Sequence, residues 1–425
     1  MFDFTIDPVY QKKLDWADAF VREEVEPLEF VFSRPWDRSD AAAMKAVRPL
    51  MERVRAEGLW ACHLPPELGG GGYGQVKLAL LNEILGRAAW GPIVFGCQAP
   101  DSGNAEILAH FGTEEQKARF LQPLLDAEVV SCFAMTEPQA GADPRLFTTR
   151  AERTEGGWRL SGEKWFASHA RWAEFLIVMA ITDPDVPVHR GATMFIVPAD
   201  TPGLEIVRNV GVFGDTDDQA SHAYVRFNDV ELPADAILGP EGGAFMVAQV
   251  RLGGGRIHHA MRTLGMARRA FDMMCERVIS RQLSSGRLAD LSSTKERIAQ
   301  SWIEIEQFKL LVLRTAWLID EHNDYKKVRA DIAAVKAAMP QVLRGIAQRA
   351  VHLHGSLGVT TETPLAKFLI DAEVLGLADG PTEVHEKTVA DFILAKYEPA
   401  PDVFPSHHGP RLTAIATEKY GVPSV

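Results

Sequence analysis

No run in this sequence approaches the roughly 18 consecutive apolar residues that a membrane-spanning helix needs, although 46% of its 425 residues are hydrophobic. Positive charge is also scarce. Against 57 aspartates and glutamates stand 45 lysines and arginines, a formal net charge of -12. The chain as a whole is therefore expected to bind neither nucleic acid nor an anionic membrane surface, and an anionic ligand requires a local basic pocket. Only four cysteines occur, Cys62, Cys97, Cys132 and Cys275, with no Cys-x-x-Cys spacing. That pattern excludes a zinc framework and a disulfide framework and predicts reduced, buried thiols. The opening MFDFTIDPVYQKK has no basic stretch leading into an apolar core, so no secretory signal is expected. Repeats and low-complexity tracts are missing as well. These absences point to a soluble protein of the cytosol or another reducing compartment.

What is present divides the chain by periodicity. Residues 1–130 are mostly helical in pattern: SDAAAMKAVRPLMERVRAEGLW repeats apolar residues at three- and four-residue steps, and Thr113 followed by Gln116 is a capping-box start. Residues 131–240 change period. FLIVMAITD, ATMFIVPAD, LEIVRNV and HAYVRFNDVEL are short runs rich in β-branched and aromatic residues between turn signals, which predicts a β module. Residues 241–398 return to long amphipathic helices that suit an up-and-down bundle. The proline-rich EPAPDVFPSHHGPRL within residues 399–425 predicts an extended tail or a subunit-crossing arm. Helices, a β module and a second helical domain make an α+β chain. The order excludes doubly wound nucleotide folds, whose strands and helices alternate.

Several motifs have bland readings. The glycines of ELGGGGYGQ have no following Gly-Lys-Ser/Thr and read as a loop. His258 and His259 are adjacent, so on a helix they point about 100° apart and cannot face one metal. His407 and His408 fall in the tail, and no metal is expected. CFAMTEPQAGAD, Cys132 to Asp143, is more specific: Thr-Glu-Pro and a small-residue loop at the start of the β module offer exposed backbone N–H groups and one hydroxyl, suited to a planar ring edge and a phosphate. In GWRLSGEKWFASHA, strand alternation puts Phe166 and Ser168 on one face, an aromatic beside a hydroxyl. A packed strand would look the same.

Six segments in order, FGCQAPDSGN, SCFAMTEPQAGAD, GEKWFAS, RLGGGRIHHAMRTLG, HLHGSLGVT and LADGPTEVH, resemble the acyl-CoA dehydrogenase family between residues 50 and 397, above all the dehydrogenase domains of its members ten and eleven. The resemblance implies an N-terminal helical domain, a central β-barrel or sandwich domain and a C-terminal four-helix bundle, usually assembled as a dimer of dimers. It implies one FAD per subunit and oxidation of an acyl-CoA thioester to the trans-2-enoyl-CoA in fatty-acid β-oxidation, with electrons passed to an electron-transferring flavoprotein. By position, Phe133, Met135 and Thr136 should border the flavin ring, Gly141 and Ala142 should lie near the pyrophosphate or the thioester arm, Phe166 should cover the ring and Ser168 should bond near N5. Arg281 from a neighbouring subunit, with Ser284, should meet the FAD phosphates. His352, Gly355 and Ser356 match the segment that wraps the same region, and Glu383 matches a further FAD contact. Arg256 and Gly380 flank the catalytic carboxylate on the substrate side. The chain departs from the family pattern after Arg281, where Gln282, Leu283, Ser284 and Ser285 lack the usual aromatic, and at His352 and Ser356.

Asp379 has two readings. Before Gly-Pro it is ordinary turn chemistry or a helix cap. By the resemblance it stands where the family keeps its catalytic glutamate, and the alternative position for that base, Leu252 to Arg256, holds no acid. The aspartate is one methylene shorter than glutamate. Ala378 and the glycines at 253 to 255 remove bulk, which predicts a pocket for long, branched or substituted acyl chains. Competing functions are a flavin-dependent oxidase on the same fold, of acyl-CoA or nitroalkane type, and a non-catalytic CoA-ester-binding scaffold.

Overall fold

The computed structural model describes residues 5–421. The N-terminal helices start where short polar side chains can cap them. Asp7 accepts from the Val9 N–H ahead of Pro8–Phe20, and one oxygen of Asp40 accepts from the N–H groups of Ala42 and Ala43 ahead of Ala41–Ala56. Helices Gly74–Leu85 and Asp101–Phe111 follow, and the Thr113–Gln116 capping box forms as expected.

The central domain is one seven-stranded sheet. Its strands are β1 (Val130–Ala134), β2 (Arg150–Thr154), β3 (Gly157–Lys164), β4 (Ala173–Ile181), β5 (Ala192–Pro198), β6 (Leu204–Val210) and β7 (His222–Pro233). They run in the order β1-β4-β2-β3-β7-β6, with β5 also paired to β4. Because β4 is buried on both faces, it reads as the unbroken apolar run FLIVMAI rather than as an alternation. Phe175, Ile177 and Met179 join the core against the flanking helices, whereas Leu176, Val178 and Ala180 join the core inside the domain.

Four helices, Ala244–Ser280, Ser292–His322, Arg329–His354 and Leu365–Leu377, form the C-terminal bundle, and Thr382–Leu394 packs on it. One continuous core joins this bundle to the N-terminal helices: Leu14, Phe20, Val47 and Leu81 share it with Met261, Leu264 and Leu343. Cavities enclosed by these helices are therefore walled from both ends of the sequence. The tail is less extended than expected. Residues 397–408 carry neither helix nor strand, but beyond them Gly409–Tyr420 is helical, with Pro410 in the first turn where a missing N–H costs nothing.

A second correction concerns Phe166 and Ser168. Alternation does not apply to them, because β3 and its pairing with β7 end at Lys164. Lys164 turns inward to the Met135 carbonyl and Glu137, and the chain then passes through left-handed conformations at Phe166 (φ 55°) and His169 (φ 66°).

Candidate functional site

Helix Leu365–Leu377 ends in an extended Ala378, and Asp379 and Gly380 follow at φ 55° and 108° before Thr382–Leu394 begins. Aspartate tolerates the left-handed region better than most residues. The positive φ at Gly380 favours glycine, and a Cβ there would also press on His385 Nε2 at 3.0 Å. The helix-cap reading of Asp379 fails: Pro381 occupies the cap position, and no side chain bonds the helix start. The main chain of this turn is instead held by cations and an imidazole. Arg256 Nε donates to the Asp379 carbonyl at 3.0 Å, His385 Nε2 lies 3.3 Å from the same oxygen, and Lys336 Nζ reaches the carbonyls of Leu375 and Gly380. The N–H of Asp379 itself bonds no acceptor among the described residues.

The carboxylate points at helix Ala244–Ser280. A Cβ on Gly255 would lie 3.2 Å from Asp379 Oδ2, and His259 Nε2 lies 3.5 Å from the same oxygen. Three consecutive glycines cost a helix about 3 kcal/mol relative to alanine. At Gly255 that cost makes room for Asp379. Gly253 and Gly254 do not simply enlarge the pocket, as had been expected: the Tyr325 ring fills the space over Gly253, and Glu106 Oε2 and the Tyr325 hydroxyl stand 3.2 and 3.3 Å from a Cβ on Gly254. Asp379 opens into a cleft of about 400 Å³ lined also by His63, Glu106, Arg251, His258 and Arg262.

Electrostatics keep the base ionised. Burial alone would raise the Asp379 pKa, but its neighbours, His259 where protonated and the cations Arg251, Arg256 and Lys336, override it and hold the group below its ordinary value, and at neutral pH the three cations carry this effect. Burial presses His259 down to about 4, so at neutral pH it is an uncharged neighbour. Glu106 goes the other way. Burial pushes it up to about 7 against the pull of Arg251. The cleft thus holds two carboxyl groups in opposite states, one ionised and one able to stay protonated near neutrality.

The residues after β1 gather around a second network. Glu137 and Lys164 form a buried ion pair at 2.9 Å, and Glu137 also accepts from the N–H groups of Thr148 and Thr149. Trp165 N–H donates to the Thr136 carbonyl at 2.8 Å. These bonds bring Phe133, Met135 and Thr136 into one neighbourhood with Phe166 and Ser168. Phe166 is 40% exposed yet fixed, its ring stacked on His222 at 4.2 Å, and Ser168 Oγ lies 2.9 Å from His222 Nδ1. Gly141 (φ 51°) and Ala142 are exposed at the end of the same loop. Arg251 ties this neighbourhood to the Asp379 cleft: its guanidinium lies over the Phe133 ring at 3.9 Å, and its Nε donates to Asn104.

A third group stands apart. Arg281 caps the end of helix Ala244–Ser280, Ser284 lies in the hairpin turn after it, and His352, Gly355 and Ser356 end the neighbouring helix. Arg277 links the two helix ends by donating to the His354 carbonyl. Arg281, His352 and Ser356 are exposed, no side-chain partner of Arg281 occurs among the described residues, and none of the group bonds the Phe133–Ser168 neighbourhood. Glu383 is exposed in the first turn of Thr382–Leu394. No cluster of metal-ligating side chains occurs among the described residues, and no described helix is long and apolar enough to cross a membrane.

Sequence reasoning missed Arg251, His259, Glu106, Tyr325, Lys336 and His222. One signal was available for two of them: Arg251, Gly255 and His259 are spaced four apart and so share a helix face.

Comparison with known proteins covers the same three regions. Residues 10–128 match the family described as acyl-CoA dehydrogenase, N-terminal domain; residues 132–230 match its middle domain and residues 242–394 its C-terminal domain. Acyl-CoA dehydrogenase family member 10 of Mus musculus is 39% identical over 394 residues, 91% of this chain but 37% of that protein. Against family member 11 of the same species the identity is 38%, over half of that protein's length. FadE2 of Mycobacterium tuberculosis, named a probable acyl-CoA dehydrogenase, is 38% identical over 91% of this chain and 92% of its own. Among solved structures, the butyryl-CoA dehydrogenase of Megasphaera elsdenii superposes with a TM-score of 0.77 at 26% identity, covering 92% of this chain and all of that one.

Proposed function

Since the chain belongs to the acyl-CoA dehydrogenase family, we propose that it is an FAD-dependent dehydrogenase that converts an acyl-CoA thioester to the trans-2-enoyl-CoA with Asp379 as base. The observation that carries this reading is the Asp379 turn. A carboxylate kept ionised by its surroundings faces a cleft, its backbone is pinned by Arg256, and its own N–H has no acceptor among the described residues. Turn residues with no chemical task have no need of that arrangement.

The residues present fit FAD. Phe166 offers a fixed, part-exposed ring beside the Ser168 hydroxyl, as a flat heterocycle requires, and the exposed loop at Gly141 and Ala142 can approach a pyrophosphate closely. Arg281, whose side chain has no partner among the described residues, would with Ser284, His352, Gly355, Ser356 and Glu383 complete the site from a neighbouring subunit of a homo-oligomer, a dimer of dimers. When bound, FAD supplies an acceptor for the hydride from the β carbon, and its electrons pass on to an electron-transferring flavoprotein. Everything else falls to the chain. The Asp379 carboxylate takes the α proton, and its N–H polarises the thioester oxygen so that charge arriving there is stabilised. Arg256, Lys336 and His385 hold the loop carbonyls, so the carboxylate and the N–H keep a fixed relation to each other. The left-handed backbone and Gly255 let an aspartate sit where a longer acid would meet the helix.

Glu106, His63, His258 and Arg262 make the cleft polar, which favours a substituted acyl chain over a plain long or branched one. The test is anaerobic titration of the FAD-loaded protein with an acyl-CoA panel. Substituted chains should bleach the flavin absorbance, and Asp379→Ala should leave it unchanged. A panel peaking sharply at four to six straight carbons would count against the substrate reading, and bleaching retained in Asp379→Ala would remove Asp379 as the base.

A further inference from the structure

Beside the Asp379 cleft lies a second, much smaller cavity with room for about one water-sized group, bounded by Trp60, Gly96, Gln98, Asp101 and Leu124. The two share His63 and Ser102, so His63 stands between them. Its ring is buried, neither nitrogen completes a hydrogen bond among the described residues, and burial together with Arg262 presses its pKa to about 3 against a smaller upward pull from the Ser102 backbone. The ring is therefore neutral, one nitrogen a donor and the other an acceptor. Gln98 is half-satisfied: its amide N–H donates to Asp101 Oδ2 at 3.0 Å, while its Oε1 is buried and unpaired. Asp101 cannot satisfy Gln98 Oε1, since a carboxylate only accepts, and its other oxygen is taken by the N–H and hydroxyl of Ser131. Buried polar groups left without partners are rare, and each costs free energy that a ligand can recover.

We propose that the second cavity is a distal subsite of the acyl cleft that receives a small neutral group able both to donate and to accept hydrogen bonds, a hydroxyl, at the far end of the acyl chain. The inference rests on the acyl-CoA reading above and deepens it. An anionic end has no donor for Gln98 Oε1 and would face the Asp101 carboxylate. A cationic end has no acceptor for the His63 N–H. A methyl end leaves all three polar atoms unpaired.

The experiment is calorimetric titration of the FAD-loaded full chain with non-oxidisable S-alkyl-CoA thioethers, from hexyl to dodecyl, ending in methyl or hydroxyl. At the length that reaches the second cavity, the hydroxyl-ended ligand should bind about tenfold more tightly, one buried hydrogen bond's worth. In Gln98→Leu and in His63→Leu the order should reverse in favour of methyl. The ratio is taken within each protein, so a variant that merely folds poorly weakens both ligands alike and leaves the wild-type comparison standing. Methyl preferred at every length, a hydroxyl preference surviving in both variants, or an equal preference for a hydroxyl placed two carbons from the sulfur would each overturn the subsite while leaving the acyl-CoA reading intact. Failure of every thioether to bind the FAD-loaded protein would sink both.

Discussion

At Asp379 a short side chain is compensated by its backbone. The left-handed turn and the missing Cβ at Gly255 bring the carboxylate to the wall of the cleft, and Arg256 fixes it through the carbonyl rather than through the acid. Asp379→Asn preserves shape and tolerates the same φ, so it should fold normally and bind FAD while kcat falls about 10³-fold. Gly255→Ala separates two effects. Alanine favours the helix by up to about 1 kcal/mol, but its Cβ crowds Oδ2, so kcat should drop about tenfold with no fall in Tm. Glu106 governs pH. Its folded pKa of about 7 lies above its unfolded value, so its contribution to stability is complete below the unfolded pKa and is lost as pH rises through about 7. Glu106→Gln should therefore gain stability over the wild type at pH 8 but not at pH 4, by up to about 3 kcal/mol in urea unfolding. Asp379 is shifted the opposite way, below its ordinary value. Of these residues, only Asp379 and Arg256 were legible beforehand, through resemblance. His259 and Arg251 lay on the Gly255 face of a helix whose periodicity was plain. Glu106 carried no signal, because its partners come from remote segments.

Among the elements, the loop after β1 depends on a buried charge. Lys164 and Glu137 are 0% and 1% exposed, and their pair joins the end of β3 to the loop carrying Met135 and Thr136. Lys164→Met leaves Glu137 buried without its cation, which should cost about 3–5 kcal/mol in urea unfolding. Adding Glu137→Gln should recover part of that loss, whereas equal stability of single and double variants would show that the pair does not anchor the loop. The same lysine explains why the strand reading of Phe166 and Ser168 failed. Alternation was extrapolated past a residue that leaves the ladder to reach a partner 27 positions earlier, and two left-handed residues then set the side-chain directions. Both side chains still converge, on His222, a residue of β7 that local pattern in the WFAS segment does not encode. The periodic elements themselves were readable because their burial is periodic: four of the sheet's strands matched their apolar runs, and helices Ala244–Ser280 and Ser292–His322 fall in the region expected to hold long amphipathic helices.

For the whole molecule, the candidate FAD ligands fall into two groups that a single chain does not bond together. Phe133, Met135, Thr136, Phe166 and Ser168 are organised by β1, β3 and β7, whereas Arg281, Ser284, His352 and Ser356 are organised by the ends of two bundle helices and left exposed. Division into three regions was visible in the sequence, but this separation was not, because it depends on how the bundle meets the sheet. On the reading that the second group reaches the FAD of a neighbouring chain, FAD retention must follow assembly. The chain also lacks the aromatic after Arg281, which lowers the expected affinity on that side. Gel filtration of the FAD-loaded protein over a dilution series, with absorbance at the flavin and protein bands, should show FAD leaving as the oligomer dissociates. Arg281→Ala should shift that loss to about tenfold higher protein concentration, the effect of one charge-assisted contact, while a short variant of the same experiment with Phe166→Ala should weaken FAD at every concentration alike. Retention that is stoichiometric in a dissociated monomer would place the whole FAD site within one chain, and Arg281 outside it.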